Sequence, residues 1–358
     1  LKNYLTEMKE KILTSMLKKI DPEVAHKVAI FALKYDFLPK VHISSSKLLE
    51  TDISGIKLNH PIGMSAGFDK NAEALKGLMN IGFSFVEIGA VTPKAQKGNS
   101  KPRIHRLLKE KGIINRLGFN NLGMNAVYNN LVKKPRGLTV GINLGSNKET
   151  LDRSLDFIKV LKLFNKTVDF ATLNISSPNT KNLRNLQNKE ELESLLSKLT
   201  NERKKLLNEK PLFLKISPDL TDDQIENIVN LTLKFNLSGI IATNTSIGRE
   251  NLDERWKKTA GGLSGKPIFQ KSTTTLAKIA ILSKSKFPII GVGGIFSAED
   301  AFEKICAGAS ALQIYSAFTF VGPLIVKEIC KNLEQILVSY GFKNISEAVG
   351  TKKNNWVS

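Results

Sequence analysis

The sequence predicts a (β/α)8 barrel, the TIM-barrel architecture, with an N-terminal two-helix extension. Three observations predict it. Eight short apolar runs recur between residues 62 and 317, most intervals between them carry helical spacing, and nearly every run ends in small or amide residues. Strand and helix alternating about every 30 residues imply parallel strands with covering helices. A doubly wound open sheet alternates in the same way, and strand order is not readable from one sequence, so the chemistry at the strand ends must decide.

Two helical stretches, residues 3 to 19 and 22 to 35, precede the first run and are separated by Asp21-Pro22. Asp21 as N-cap with Pro22 at the first helical position is a start signal for the second. The first stretch sets Leu5, Met8, Ile12, Leu13, Met16 and Leu17 against Lys9, Lys11, Lys18 and Lys19, while the second puts Val24, Val28, Phe31, Ala32 and Tyr35 on one face. Both are amphipathic and the first is basic. Such a pair either lies in a bilayer interface with its lysines toward anionic lipid or docks on the barrel as an ordinary cap.

The runs themselves are IGMSAG (62 to 67), FVEIGAVT (85 to 92), LTVGINLG (138 to 145), FATLNIS (170 to 176), PLFLKIS (211 to 217), GIIATN (239 to 244), PIIGVGG (288 to 294) and ALQIYSA (311 to 317). Between the fourth and fifth, Leu192, Leu195, Leu196 and Leu199 share a face opposite Lys and Glu, the 3.6-residue period of an amphipathic helix. The chain therefore divides into an extension (1–45), a barrel (46–345) and a short tail (346–358).

At 358 residues, 41% hydrophobic and 24% charged, the chain can bury a large core. Its net charge of +20 comes from lysines scattered over every helix face, which points away from a dedicated nucleic-acid surface and leaves anionic lipid as the partner. Cys306 and Cys330 lack metal-ligand spacing and form no disulfide framework, so a reducing cytosol fits. The histidines, His26, His42, His60 and His105, are dispersed, and no metal is expected. No run reaches the roughly 18 apolar residues of a membrane span, and no export leader is visible.

In a barrel of this kind the active site forms where the strands end. Asn143, Asn174, Lys215, Thr243, Asn244 and Thr245 sit there. One Asn is a common turn former, but several converging polar ends, with Lys215 inside PLFLKIS where an unpaired charge is costly, suit a bound polar or anionic ligand. GVGG (291 to 294), Tyr315, Ser316 and GGLSGKP (261 to 267) supply glycines whose N–H groups can approach a phosphate after strands seven and eight. The string NISSPNT (174 to 180) brackets Ser177 with amides. A turn uses the same residues, and no His/Asp partner or GxSxG elbow activates this serine for hydrolysis. Proton abstraction remains, and it requires an acidified substrate proton.

Together SAGFDKNAE (65 to 73), GAVTPKAQKGN (89 to 99), INRLGFNNLG (114 to 123), GINLGSNK (141 to 148), NISSPNT, LKISPDL (214 to 220), ATNTS (242 to 246), GGLSGKP, GVGGI and QIYSAF resemble the dihydroorotate dehydrogenase family, in its membrane-associated, quinone-dependent class 2 branch. The resemblance covers nearly the whole chain. It implies one FMN per chain and oxidation of dihydroorotate to orotate in pyrimidine biosynthesis, with a membrane quinone as final acceptor. It also implies that Ala66, Gly67, Phe68, Asp69 and Lys70 form the loop at flavin and substrate, with Lys70 holding the substrate carboxylate. Asn115, Arg116, Leu117, Gly118 and Phe119 resemble the substrate loop, and Asn174, Asn179, Asn244 and Thr245 match groups that hydrogen-bond the substrate ring. Asn143, Asn174, Lys215, Thr243, Gly265, Gly294, Tyr315 and Ser316 match the flavin site. Ser177 matches the base that removes the C5 proton as the C6 hydride leaves, a place commonly held by Cys in the soluble branch. Ala90 departs from relatives that often offer Ser or Thr to the flavin, and Ala90→Thr is expected to be tolerated. His26, Arg106 and Tyr315 match the lining of a quinone tunnel built by the extension. A peripheral monomer on the cytoplasmic face of a bacterial inner membrane is expected. Two other readings remain at this point: another FMN barrel acting on a dihydropyrimidine, and a non-catalytic basic barrel that binds RNA.

Overall fold

A computed structural model describes residues 14–44, 46–180, 182–250 and 252–357. Its barrel strands are β1 (Ile62–Met64), β2 (Phe85–Val91), β3 (Thr139–Leu144), β4 (Phe170–Asn174), β5 (Leu212–Ile216), β6 (Gly239–Ala242), β7 (Ile289–Val292) and β8 (Ala311–Ile314). They close in chain order, all parallel, with β8 pairing back onto β1. An open doubly wound sheet would reverse strand order part-way, so that alternative is excluded. The polar tails of most runs leave the sheet at its C-terminal rim, where they become mouth loops.

The barrel interior is layered by the period of two along each strand. Its floor is aromatic, with Phe85, Phe170 and Phe213 fully buried beside Ile241, Ile290 and Ala311. Each ring fills space left by a neighbouring glycine. A Cβ on Gly63 would lie 2.4 Å from the Phe85 ring, one on Gly141 2.1 Å from Phe170, and one on Gly239 2.8 Å from Phe213. The hairpin Thr51–Ile53 and Ile56–Leu58 closes this end, with Ile53 and Leu58 joining the same cluster. Two residues further along the strands the layer turns polar: Glu87, Asn143, Thr172, Lys215 and Gln313, all buried.

Helix Pro22–Lys34 starts where the sequence predicts, with the Asp21 side chain accepting from the Glu23 and Val24 N–H groups. Residues 14–19 are helical. The rest of the first predicted stretch, including Leu5, Met8, Lys9, Lys11, Ile12 and Leu13, lies outside the described residues. Sequence reading did not anticipate the antiparallel sheet of Ile104–Leu107, Gly112–Asn115 and Gly262–Gly265, built from the excursions after β2 and β6. The tail packs on the barrel helices: the Gly350 N–H donates to the Ile305 carbonyl, and the Trp356 ring centroid is 6.0 Å from that of Phe269.

Candidate active site

Strand ends converge on one buried amide and carboxylate network. Gln313 Nε2 donates to Glu87 Oε2 at 2.6 Å, Asn143 Nδ2 to Glu87 Oε1 at 2.7 Å, and Asn174 Nδ2 to Asn143 Oδ1 at 2.8 Å. Asn244 Nδ2 continues the chain to Asn174 Oδ1 at 3.3 Å and Ser176 Oγ at 2.9 Å. Side chains from β8, β2, β3, β4 and the loop after β6 thus orient one another in a single network. Lys215 Nζ donates to Ser65 Oγ at 3.2 Å, and burial lowers its pKa against the opposing field of Glu87. Ser177 is buried at the rim, with its Oγ accepting from the Asn179 N–H at 3.3 Å, while Asn179 Nδ2 reaches Asn115 Oδ1 at 3.3 Å.

A cavity of about 340 Å³ runs from this network to the N-terminal helices. Lys70 lines it, and desolvation lowers its pKa to about 8 against the nearby carboxylates of Asp69 and Glu23. An ammonium in such a place gains from an incoming anion. Further out, His26, Phe68 and Tyr315 form an aromatic group with centroid distances of 5.2 Å (His26 to Phe68), 5.6 Å (Phe68 to Tyr315) and 6.5 Å (His26 to Tyr315). Desolvation, then the field of Lys70, pushes His26 down to about 3, and burial pushes the Tyr315 hydroxyl up. Arg106 lines the same end and donates from Nη1 to the carbonyls of Lys18 at 2.6 Å and Ile20 at 3.3 Å, which ties the extension to the mouth sheet.

Ser177, Lys70, Asn115, Leu117, Gly118, Phe119, Asn174, Asn179, Asn244 and Thr245 all line this cavity, as do Ala66, Gly67, Phe68, Ala90, Asn143, Lys215, Thr243, Gly265, Gly294, Tyr315, Ser316, His26 and Arg106. Asp69 and Arg116 do not. The Asp69 carboxylate accepts from the Glu73 and Ala74 N–H groups and shapes the loop that carries Lys70. Arg116 Nη2 turns to the Pro102 carbonyl at 2.9 Å. Glu87 and Gln313 were missed by sequence reasoning, although Glu87 interrupts FVEIGAVT much as Lys215 interrupts PLFLKIS.

At the far rim the backbone of Gly293 and Gly294 has positive φ and presses on the first turn of helix Phe269–Ser283. A Cβ on Gly294 would lie 2.6 Å from Phe269 Cβ, and one on Gly293 would lie 2.8 Å from Ser272 Oγ. Only glycine permits that approach, and it brings loop N–H groups and a helix N-terminus to one place suited to a phosphate.

The family described as dihydroorotate dehydrogenase matches residues 48–337. This chain belongs to the dihydroorotate dehydrogenase family. Among similar proteins, the dihydroorotate dehydrogenase (quinone) of Cereibacter sphaeroides is 42% identical over 350 residues, covering 98% of this chain and 99% of that one. The mitochondrial dihydroorotate dehydrogenase (quinone) of Mus musculus is 41% identical over 352 residues, covering 95% of this chain and 89% of its own. In three dimensions the chain resembles DHODH from Eimeria tenella, solved in complex with ferulenol, with a TM-score of 0.90 and 34% identity over 96% of this chain and 99% of that one. As a dihydroorotate dehydrogenase, the chain is an oxidoreductase of pyrimidine biosynthesis.

Proposed function

We propose that the protein oxidises (S)-dihydroorotate to orotate through bound FMN and passes the electrons to a membrane quinone. The observation that carries this reading is the continuity of one cavity from Lys70, Ser177 and the amides to His26 and Arg106. Polar groups at one end suit a carboxylated dihydropyrimidine, and apolar helix faces at the other suit a lipid-soluble acceptor.

The residues fit FMN. Thr245 Oγ1 and Gln313 Oε1 are buried in the cavity lining without a protein partner, which offers polar contacts to a bound ring system. Asn143, Asn174, Thr243 and Lys215 would hold the isoalloxazine, and Gly265, Gly293, Gly294, Tyr315 and Ser316 the phosphate end. When bound, FMN supplies the acceptor for the C6 hydride and the relay to quinone. Protonated Lys70 grips the substrate carboxylate, while Asn174, Asn179, Asn244 and Thr245 match the alternating donors and acceptors of a uracil-like edge. Ser177 takes the C5 proton. A free hydroxyl is a weak base, but this proton lies beside a carbonyl and leaves as the hydride departs, so a modest base positioned on it suffices.

The extension supports delivery of quinone from a membrane. Helix Pro22–Lys34 turns Ala25, His26, Ala29 and Ala32 toward the cavity, and half-exposed Val28 stands at its lip, while Val24 and Phe31 on the helix, with Tyr35 and Phe37 just beyond it, are exposed. Phe31 and Tyr35 pack at 4.7 Å and Phe31 and Phe37 at 5.9 Å, an apolar cluster suited to a bilayer interface. Among the described residues no helix is long and apolar enough to cross a membrane, which fits peripheral attachment, on our reading at the cytoplasmic face of a bacterial inner membrane. The test is direct: dihydroorotate should bleach the flavin of the purified protein and a quinone should restore it, whereas reduction by NAD(P)H instead would overturn the reading.

A further inference from the structure

The helical turn Leu183–Gln187 follows the Ser177 loop and takes no part in the reading above. Its Arg184 reaches back beneath the mouth. Nε donates to the Ser176 carbonyl at 3.0 Å, Nη1 to Asp219 Oδ2 at 2.9 Å, and Nη2 to the Thr245 carbonyl at 2.9 Å. These partners lie on the loops after β4, β5 and β6. Ser176 precedes the assigned base, and Thr245 is itself an assigned substrate contact. A planar guanidinium fixes these directions at once, which a lysine point charge cannot do.

Asp219 is built to orient that fork. Its carboxylate also accepts from Ser246 Oγ at 2.6 Å, Lys271 Nζ at 2.8 Å and the Ile247 N–H at 2.9 Å. Burial alone would raise its pKa, but Lys271, Ser246 and Ile247 outweigh burial and hold it at about 2, so it stays anionic at any working pH. The Asn244 bond to Ser176 Oγ closes the same loops from above.

We propose that Arg184, oriented by Asp219, is a positioning residue for the dehydrogenation step, setting the Ser177 loop against the loop that carries Asn244 and Thr245. The inference rests on the assignment of Ser177 as the base. A base displaced by about 1 Å from its proton loses roughly 100-fold in rate, so a fork that couples these loops has direct leverage on the reaction. The residues at the quinone end of the cavity, His26 and Arg106, lie on other elements, and the Arg184 guanidinium hydrogen-bonds instead to Ser176, Asp219 and Thr245.

The test compares half-reactions in the holoenzyme. In anaerobic single turnover, Arg184→Lys should reduce its flavin with dihydroorotate roughly 10- to 100-fold more slowly, with a larger deuterium isotope effect from C5. Its reoxidation by a short-chain ubiquinone should stay within about twofold and its FMN content should match wild type, because tertiary order away from the loops is kept. Asp219→Asn, which keeps the side-chain size but removes the charge and turns one acceptor into a donor facing the fork or Lys271, should shift the same half-reaction in the same direction, and it carries the test if Arg184→Lys does not accumulate. Equal losses in both half-reactions, or loss of FMN, would make Arg184 a fold residue and overturn the proposal. A normal reduction rate with a normal isotope effect would overturn it too. Ser177→Ala run in parallel separates the two ideas: if it reduces flavin at the wild-type rate, the assignment of the base fails, whereas a slow Ser177→Ala beside a normal Arg184→Lys defeats only the positioning role.

Discussion

Arg103 and Glu23 form a two-point ion pair, Nη2 to Oε1 at 2.6 Å and Nε to Oε2 at 3.2 Å, that joins the N-terminal helix to the loop entering the mouth sheet. The same guanidinium donates from Nη1 to the carbonyls of Lys97 at 2.8 Å and Asn99 at 2.9 Å. Asn99 Nδ2 in turn reaches the carbonyls of Arg116 at 2.9 Å and Asn179 at 3.2 Å. The extension and the substrate loops therefore share one anchor. The Arg103 hydrogen bonds hold the Glu23 carboxyl below its usual range against a smaller opposing effect of burial, so the pair is charged at neutral pH.

Removing one partner of such a pair leaves the other charge half-compensated. Glu23→Gln is expected to loosen the docked helix and raise the KM for quinone roughly tenfold, equivalent to about 1.4 kcal/mol, with the KM for dihydroorotate changed by less than about threefold. Steady-state kinetics with each substrate varied in turn measures both. An unchanged quinone KM would show that the pair does not hold the quinone end in shape.

Lys70 gives a pH signature on the substrate side. Its pKa near 8 means that the ammonium is lost from the free protein as pH rises through that value. A carboxylate binds only the charged form, so kcat/KM for dihydroorotate should fall about tenfold per pH unit well above 8. Bound substrate stabilises the ammonium, so kcat should hold to higher pH. A KM that is flat between pH 7 and 10 would count against Lys70 as the carboxylate ligand.

How far the site was legible follows from which signals are local. The eight runs locate the barrel strands because each carries its own apolar signature, and the polar rim residues stand at the ends of those runs. Counting by twos from Phe85 places Glu87 beneath Asn143, so the network was readable in principle, but only once Phe85 was known to face inward. The mouth sheet was not readable: its strands are four residues long, and Gly112–Asn115 pairs with Gly262–Gly265 across a long sequence gap. Helix Pro22–Lys34 shows a different limit. Its amphipathic pattern is plain, yet the face of Val24, Val28 and Phe31 is the exposed one, because Ala25 and Leu33 provide the close packing beneath. Asp69 stands beside Lys70 in the motif and serves the loop backbone instead of the cavity.

His26 should act as a neutral hydrogen-bonding ring. Desolvation beside Phe68 and Tyr315 keeps its pKa near 3, so it gains no proton in the range where an ordinary histidine titrates. Stopped-flow reoxidation by quinone should show no inflection between pH 5 and 8 in the wild type that His26→Asn abolishes. An inflection near 6.5 lost in that variant would mean that the imidazole is exposed to water.

Lys304 offers a stability test at a residue that does not itself line the cavity. It is fully buried, with Nζ donating to Ser272 Oγ at 2.8 Å and Thr273 Oγ1 at 3.0 Å. The nearest opposing charge, Asp300, is engaged by Lys266 Nζ at 2.6 and 2.9 Å. Desolvation therefore lowers the Lys304 pKa from 10.5 to about 7, with Asp300 opposing only in part. Between those values the unfolded chain binds the extra proton, so folded stability rises with pH across that window, by at most about 1.4 kcal/mol per unit, and levels off below 7. Lys304→Met keeps the aliphatic stem and removes the titration. It is expected to be more stable than wild type at pH 7 by a few kcal/mol, seen as a Tm higher by several degrees, with the gap closing toward pH 10. The hydroxyls it leaves behind still have carbonyl partners, Ser272 on Phe269 and Gly293 and Thr273 on Phe269, so no new polar group is stranded. Calorimetry at both pH values measures the gap, and a gap that is the same at pH 7 and pH 10 would mean that Lys304 keeps its proton in the fold.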